Sequence, residues 1–313
     1  HHTLYEQYTH YVPGDSPAMK RFAIELATRY ANLCNQVFAP SESIRDLLQQ
    51  RGVSTPIAVV PTGVCLEHFA QGDGRAFRRR MQIPEDAFVV GHLGRLAPEK
   101  NLEFLTQAVA DFVGTNAQAH FLVIGTGPSE AAMRAVFARA GITARLHIAG
   151  ILHQPQLADA LHAMDVFAFA SHSETQGMVV TEAMAAALPV VALDASGVRE
   201  VVRDGHNGRL LPDASPAAFS AALQSLAQLP APQLRELQQH ALATADAFSM
   251  PRSVDKALAC FAELIANAPA KAHAGERDWE DVLNWIKTEW EILKSIAQAG
   301  DAALEYNLSL IHI

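Results

Sequence analysis

Several features that define special classes of protein are scarce in this sequence. Only three of its 313 residues are cysteines, and none forms a Cys-x-x-Cys pair, which excludes a disulfide-stapled scaffold and a cysteine zinc site. We expect Cys34, Cys65 and Cys260 to be free, buried thiols. No run reaches the ~18 apolar residues that a membrane-spanning helix needs. The sequence therefore predicts a globular protein.

Positive charge is also in deficit. The chain has 24 Lys and Arg against 33 Asp and Glu, a formal net charge of −9. A general nucleic-acid-binding protein would show a basic footprint instead. Half of the residues are hydrophobic and 18% are charged, which is typical of a domain with a sizeable core. At ~150 residues per domain, the length predicts two domains.

An alternation of apolar strands with amphipathic helices runs from about residue 64 to about residue 212. Continuous apolar strands are buried on both faces, which indicates a parallel sheet covered by helices. The fold class predicted is α/β, with one complete doubly wound parallel sheet. The predicted strands are Phe88–Leu93, His120–Ile124, Leu146–Ile148, Val166–Ala170 and Val190–Leu193.

The rest of the chain does not repeat this rhythm. Residues 1–63 contain two short β-rich runs, too few for a second complete domain, so we interpret them as the end of a larger N-terminal α/β domain whose beginning is missing. Residues 64–250 are predicted to form the complete domain. Residues 251–313 are predicted to contain two helices, at 251–267 and 277–298. The second contains all three tryptophans, which we expect to contact the protein body, with a partner interface as the alternative. No function is assigned to residues 308–313.

Two loops that follow predicted strands favour a phosphate ligand. Gly94–Asn101 (GRLAPEKN) places Arg95 and Lys100 at a strand end, and Arg and Lys suit a diphosphate. Asn101 is a candidate helix cap. Gly125 and Gly127 form a Gly-x-Gly at the next junction, which indicates a backbone cradle for phosphate or ribose. A solvated loop and a simple tight turn are the alternatives.

The third loop has the strongest signal. Glu174 lies in the loop, Gly177 starts a helix, and Glu182 lies one to two turns inside it. The free N–H groups of Gly177, Met178 and Val179 would form an anion site at the helix start. A carboxylate such as Glu182 can accept two hydrogen bonds from a vicinal diol such as ribose. A helix-capping Glu174 and an incidental Glu182 remain the alternative.

Together these loops describe a pocket for a sugar attached to a nucleoside diphosphate. All three fall at the carboxyl ends of strands of one sheet, where such sheets bind ligands. No Asp-x-Asp occurs, so no metal is predicted to bridge the phosphates. The cations and the helix dipole would stabilise the leaving diphosphate instead.

These residues resemble the retaining glycosyltransferases of family 4, which have the two-domain GT-B fold. The matching stretches are 94–101 (GRLAPEKN), 124–128 (IGTGP), 173–184 (SETQGMVVTEAM) and 202–208 (VRDGHNG). The resemblance implies that Arg95 and Lys100 bind the donor diphosphate and that Glu182 binds the ribose. It implies that Glu174 and the 177–179 backbone hold the donor sugar and phosphates. It implies a UDP-sugar as the donor substrate and no cofactor. It also implies a helix that crosses back to the N-terminal domain, for which residues 251–267 are the candidate.

The opening residues, 2–11 (HTLYEQYTHY), are similar to the bacterial diacylglycerol 3-glucosyltransferase branch of that family. This resemblance implies that His2 faces the donor sugar and that Tyr5, Glu6, Tyr8 and His10 lie on the acceptor side. It implies glucose transfer from UDP-glucose to a lipid hydroxyl, in the cytoplasm at the inner face of the membrane. A tag remnant, core packing and a disordered end are the alternatives for this stretch.

Other functions remain open at this stage. A nicotinamide-dependent oxidoreductase shares the α/β rhythm, but Glu130 stands where the third glycine of its fingerprint would be. A GDP-mannose-dependent mannosyltransferase acting on a lipid or glycan is the second candidate. A third is a donor-binding fragment without turnover. The arginine-rich helix around 75–81 is either a membrane contact or a solvated face.

Overall fold

The computed structural model describes residues 3–4, 6, 16–171, 174–267 and 287. The chain divides into two compact units. One comprises residues 1–61 and 255–313, and the other comprises residues 62–254. The assignment of the first unit to an acceptor-side domain stays a prediction.

The described helices and strands alternate as the apolar pattern predicts. The strands are β1 Val37–Ala39, β2 Ile57–Val59, β3 Phe88–Leu93, β4 Ala119–Ile124, β5 Leu146–Ile148, β6 Val166–Phe169, β7 Val190–Leu193 and β8 Gly208–Leu211. The helices are α1 Pro17–Ala31, α2 Glu42–Gln50, α3 Gly74–Arg80, α4 Leu102–Thr115, α5 Glu130–Arg139, α6 Gln156–His162, α7 Met178–Ala185, α8 Val198–Val201, α9 Pro216–Ala227, α10 Ala231–Ala247 and α11 Met250–Ala266.

The unit of residues 62–254 is built on one six-stranded sheet. Its strand order is β5-β4-β3-β6-β7-β8, and every neighbouring pair is parallel. From β3 the chain adds β4 and β5 on one side, and it then returns to add β6, β7 and β8 on the other. The doubly wound fold class is therefore confirmed. β3 and β6 flank the point where the winding direction reverses.

Both faces of this sheet are buried because successive strand residues point to opposite sides. Val89 lies in the core on one face, and Val90 lies in the core on the other. Helices α4, α5 and α9 cover the face of Val90, and α3, α6, α7, α8 and α10 cover the face of Val89. Such a sheet leaves only its loop edges to bind a ligand.

The unit of residues 1–61 and 255–313 contains the parallel pair β1 and β2. Ser16 caps the start of helix α1, because its hydroxyl accepts a hydrogen bond from Met19 N. Ser41 caps α2 in the same way. The apolar sides of these elements share a small core with Leu4 and Val53. The ring of Phe38 on β1 contacts that of Phe261 on α11, with 5.6 Å between centroids.

Some expectations require correction, and others concern residues outside the described part of the chain. The three cysteines are free, but none is buried; Cys34 is exposed and the other two are partly so. Strand β8 was not predicted. Arg78, expected with its neighbours on the helix to contact a membrane or to form a solvated face, instead has a side chain that is only 11% exposed and donates to Asp165 Oδ2 and to the carbonyl of Ala163. The three tryptophans and residues 308–313 lie outside the described residues. Within the described part of the chain, no helix has the length and hydropathy to cross a membrane.

Candidate functional site

The reversal of winding between β3 and β6 creates the site. At such a switch point the loops after the two strands leave in opposite directions and open a crevice at the carboxyl edge of the sheet. The loop after β3 is 94–101, and the loop after β6 includes Glu174–Gly177. These are two of the three loops that the sequence singled out, and the strand order makes them neighbours.

Lys100 and Glu174 form an ion pair across these two loops. Lys100 ends the short 3₁₀ helix Pro98–Lys100, and its Nζ donates to Glu174 Oε1. Their side chains are only 18% and 14% exposed. Each buried charge therefore satisfies the other at the centre of the crevice. A bound phosphate would have to compete with Glu174 for the ammonium group.

Arg95 is placed differently from Lys100. Its guanidinium lies at the surface, with its side chain 52% exposed, and Nη2 donates to Glu99 Oε1 over 2.7 Å. An exposed ion pair of this kind contributes at most about 1 kcal/mol to stability. The pair with Glu99 therefore contributes little to the stability of the fold.

The glycines of the first two loops allow those loops to touch. A Cβ on Gly125 would collide with the carbonyl of Gly94, and one on Gly127 would collide with the carbonyl of Leu96. The N–H of Gly125 donates to Gly150 O over 2.8 Å, so this group is occupied. The contacts seen are those of a close loop packing, and phosphate binding by Gly94, Gly125 or Gly127 stays a prediction.

Helix α7 begins at Gly177, whose φ of 77° lies in the left-handed region that favours glycine. Among the described residues, no acceptor receives a hydrogen bond from the N–H groups of Gly177, Met178 or Val179. These groups and the helix dipole can together bind an anion. The predicted anion site thus has its donors available at the carboxyl edge.

Glu182 lies in the second turn of α7. Within the described part of the chain, its carboxyl group has no hydrogen-bond or ion-pair partner, and burial raises its pKa to about 7. Hydrogen bonds from a ligand's hydroxyl groups would favour the charged form and lower that pKa again. Among the described residues Glu182 is therefore a half-buried acceptor whose hydrogen-bonding capacity is unused, and its binding of ribose stays a prediction.

The structure reveals one polar side chain that the sequence analysis did not name, His92, and it corrects the expectation for a second, Asn101. His92 on β3 is buried, its Nδ1 hydrogen-bonds Ala168 O over 3.1 Å, and its Nε2 has no partner among the described residues. Burial lowers the pKa of His92 to about 4. Asn101 starts α4 with a φ of 54° and makes no side-chain cap bond, and its buried Nδ2 is also without a described partner. Asn101 thus occupies the predicted N-cap position of α4, but its side chain does not form the expected cap hydrogen bond.

Of the predicted residues at the start of the chain, the structure describes only Glu6. Its carboxylate accepts a hydrogen bond from Arg51 Nη2 over 2.6 Å, and both side chains are largely buried. Glu6 thus joins the start of the chain to the residue that follows α2. His2, Tyr5, Tyr8 and His10 lie outside the described residues, and their acceptor-side roles stay predictions.

The acidic and imidazole groups of the described residues do not gather into a metal site. No group of three His, Cys, Asp or Glu side chains in that part of the chain could hold a metal ion. The binding of a diphosphate by Arg95, Lys100 and the start of α7 stays a prediction.

Comparison with known families decides the family. The family described as "Glycosyl transferases group 1" matches residues 73–243, more than half of the chain. The chain belongs to this family. A second description, "Glycosyltransferase Family 4", matches residues 1–68. The resemblance to glycosyltransferase family 4 stated from the motifs is thereby confirmed.

Curated relatives carry two kinds of name. The D-inositol 3-phosphate glycosyltransferase of Geodermatophilus obscurus is 34% identical over 278 residues, which are 84% of this chain and 60% of that protein. The alpha-monoglucosyldiacylglycerol synthase of Acholeplasma laidlawii is 27% identical over 66% of this chain and 54% of its own length. The chain thus spans little more than half the length of these relatives.

Solved structures agree on the fold. HepE from Anabaena, in complex with UDP and glucose, aligns with a TM-score of 0.71 at 22% identity, covering 78% of this chain and 68% of its own. Sucrose-phosphate synthase from Thermosynechococcus elongatus gives the same TM-score at 20% identity, covering 86% and 67%. At this level of identity the likeness establishes the GT-B architecture.

Proposed function

We propose that the protein transfers a hexosyl group, glucose in the first instance, from a UDP-sugar to a hydroxyl group of a lipid such as diacylglycerol. The buried Lys100–Glu174 pair at the switch point carries this proposal. The pair places a cation on the loop after β3 and a carboxylate on the loop after β6. This arrangement suits a ligand that has both anionic phosphates and neutral hydroxyl groups. No resident cofactor or metal is assigned.

The donor's phosphates would bind among Lys100, Arg95 and the start of α7. A diphosphate carries more negative charge than the Glu174 carboxylate, so it competes well for the Lys100 ammonium group. Once released, Glu174 can accept hydrogen bonds from the sugar hydroxyl groups. The same ion pair thereby serves both halves of the donor.

The nucleoside would be held through its ribose by Glu182. A carboxylate accepts from both hydroxyl groups of a vicinal diol, and each such bond to a charged partner contributes roughly 1.5–3 kcal/mol. Because this half-buried carboxyl has no hydrogen-bond or ion-pair partner among the described residues, the ribose has no bond with them to displace. Glu182 therefore contributes affinity that is independent of the base and of the sugar.

The transfer step needs electrostatic support for the leaving group. The bond between the sugar's anomeric carbon and the diphosphate oxygen breaks, a bond to the acceptor oxygen forms, and the acceptor proton passes to the departing diphosphate. Lys100, Arg95 and the α7 dipole would stabilise the charge that develops on that diphosphate.

The donor assignment is tested by calorimetry on the purified chain with UDP, GDP, ADP and NADH. We expect UDP to bind, and Glu182→Ala to weaken it by about tenfold, the loss of at least one charge-assisted bond. Glu85→Ala, at an exposed carboxylate away from the switch point, is the matched control. A preference for GDP would support mannose transfer instead, and binding of NADH alone would overturn the proposal.

The acceptor is tested separately, with UDP-[14C]glucose and either diacylglycerol vesicles or inositol 3-phosphate. The relatives' names favour these two acceptors over a glycan. Label in the lipid phase supports the lipid acceptor and contact with a membrane surface. Label in the inositol phosphate fraction supports the polyol phosphate. UDP binding without transfer to either supports a donor-binding fragment.

A further inference from the structure

The side chain of Gln176 binds the backbone of a residue 114 positions earlier in the chain. Thr62 N donates to Gln176 Oε1, and Gln176 Nε2 donates to Thr62 O, each over 2.7 Å. Both polar atoms of the amide are therefore used on one residue. Gln176 is 3% exposed and belongs to the β6–α7 loop, two residues after Glu174 and one before Gly177.

Thr62 stands where the chain passes from one compact unit to the other. The division falls between Pro61 and Thr62. Next to it, Val64 N donates to Phe248 O, and Met250 N donates to Val64 O, each over 2.9 Å. Residues 62–64 thus lie beside residues 248–250, shortly before the second division, between Val254 and Asp255. We call residues 61–64 the linker segment.

The backbone of Gln176 is fixed from another direction by the β7–α8 loop. Gly197 has a φ of 75°, and a Cβ at this position would approach Gln176 Cα and N to 2.7 Å. The donor loop and the linker segment are therefore joined through one well-fixed side chain. A displacement of residues 174–177 cannot leave both Thr62 bonds intact unless the linker segment moves with it.

We propose that Gln176 is a positioning residue that couples donor binding at the switch point to the linker segment between the two units. This inference rests on the proposed function, since the donor is what acts on Glu174 and the start of α7. When phosphate draws Lys100 away from Glu174, the loop that carries Gln176 adjusts. The two hydrogen bonds to Thr62 transmit that adjustment to the place where the units are connected.

Hydrogen–deuterium exchange with and without UDP tests the coupling. In the unaltered chain, UDP is expected to slow exchange of peptides covering 177–185 and also of those covering 62–66. Pro61 has no amide hydrogen, so the first reporting amide of the linker segment is Thr62, whose N–H is a partner of Gln176. In Gln176→Leu, basal exchange of the Thr62 amide should rise about fivefold, as expected for one lost hydrogen bond.

The variants separate coupling from simple anchoring. In Gln176→Leu, UDP should still protect 177–185 and no longer protect 62–66. Gln176→Glu keeps an acceptor for Thr62 N and loses the donor to Thr62 O, so it should show an intermediate response. It also replaces the Leu variant if that variant does not fold. Gln118→Leu, at an exposed glutamine, is the matched control and should behave as the unaltered chain.

Each result has a defined meaning. Protection of both regions by UDP, with the linker response abolished in Gln176→Leu, supports the coupling. Protection of 177–185 alone in the unaltered chain overturns the coupling and leaves the donor site standing. A linker response that persists in Gln176→Leu also overturns it. Absence of UDP binding contradicts the proposed function, and the coupling fails with it.

Discussion

Lys100 and Glu174 are 74 residues apart in the chain, yet they form a largely buried ion pair between the loops that follow β3 and β6. The strand order explains this contact, because β3 and β6 are neighbours at the point where the winding reverses. A pair at this point joins the two loops and presents one cation and one carboxylate to a ligand that binds between them.

Removing the ammonium group of Lys100 should weaken UDP binding by about tenfold, because one charge-assisted bond is lost and Glu174 is left unpaired beside the phosphates. Calorimetry of Lys100→Ala measures the effect, with a melting curve to check the fold.

Arg95→Ala should lower the affinity for UDP only a few-fold, since the Arg95 side chain is exposed. Arg134→Ala removes an ion pair with the same spacing and the same 52% exposure, so it is the control and should not change UDP affinity. Equal losses in all three variants would contradict the site.

Binding of uridine should weaken as pH falls below about 7. The pKa of Glu182 is raised to about 7 by burial, and only its ionised form accepts from both ribose hydroxyl groups. Uridine is used because it has no phosphate that titrates in this range. The affinity of Glu182→Gln should be lower at pH 8 and independent of pH. A pH dependence that persists in Glu182→Gln would assign it to another group.

Stability should fall as pH is lowered from 6.5 towards 4 because His92, which is buried, and His147, which is partly buried, resist protonation in the folded chain. The pKa values of His92 and His147 are both lowered to about 4, mainly by burial. Below pH 6.5 the unfolded chain binds protons that the folded chain does not, so the free energy of unfolding decreases until about pH 4. For His92 the full loss is about 3 kcal/mol. The raised pKa of Glu182 acts in the opposite direction between pH 4.5 and 7.

The histidine term is isolated by comparing urea unfolding of the unaltered chain and of His92→Phe at several pH values. Phenylalanine keeps the ring contacts with Phe167 and Phe169 and cannot take up a proton. The difference in unfolding free energy between the two proteins should shift in favour of the variant as pH falls from 6.5 to 4. A difference that is constant across this range would refute the assignment to His92.

A methyl group at Gly125 should destabilise the fold more than one at Gly141, a glycine that also has a positive φ but faces open space. Gly125→Ala forces a Cβ into the Gly94 carbonyl, whereas a Cβ at Gly141 meets nothing within 4 Å. Both positions have positive φ, so Gly141→Ala should cost about 1–2 kcal/mol from backbone strain alone. Gly125→Ala should cost clearly more and should also weaken UDP binding, because it separates the first two donor loops. Equal costs, measured by urea unfolding, would contradict the loop packing.

The fold and the location of the site could be predicted because both depend on local patterns. Strands β3, β5 and β7 match their predicted bounds, since continuous apolar runs flanked by turns leave little choice. Strand β8 was missed because Gly208 opens it and Arg209 interrupts it. Its strand character comes from pairing with β7, a tertiary contact that no local pattern encodes.

Particular contacts could not be predicted for the same reason. Residue types placed Lys100 and Glu174 at strand ends, but only the strand order makes them partners. Asparagine is a common helix-capping residue, but Asn101 takes a left-handed backbone conformation, which asparagine tolerates, and its side chain makes no cap hydrogen bond. His92 and Gln176 gave no signal because a lone histidine in a strand and a lone glutamine in a loop have many structural explanations.

The central claim is that the β3–β6 switch point binds a UDP-sugar, and a crystal structure of the chain with UDP tests it most directly. The account predicts that the diphosphate contacts Lys100 and the N–H groups at 177–179, that Lys100 Nζ has left Glu174, and that both ribose hydroxyl groups lie within hydrogen-bonding distance of Glu182. UDP bound elsewhere, or bound here with Glu182 out of reach of the ribose and the Lys100–Glu174 pair intact, would contradict it.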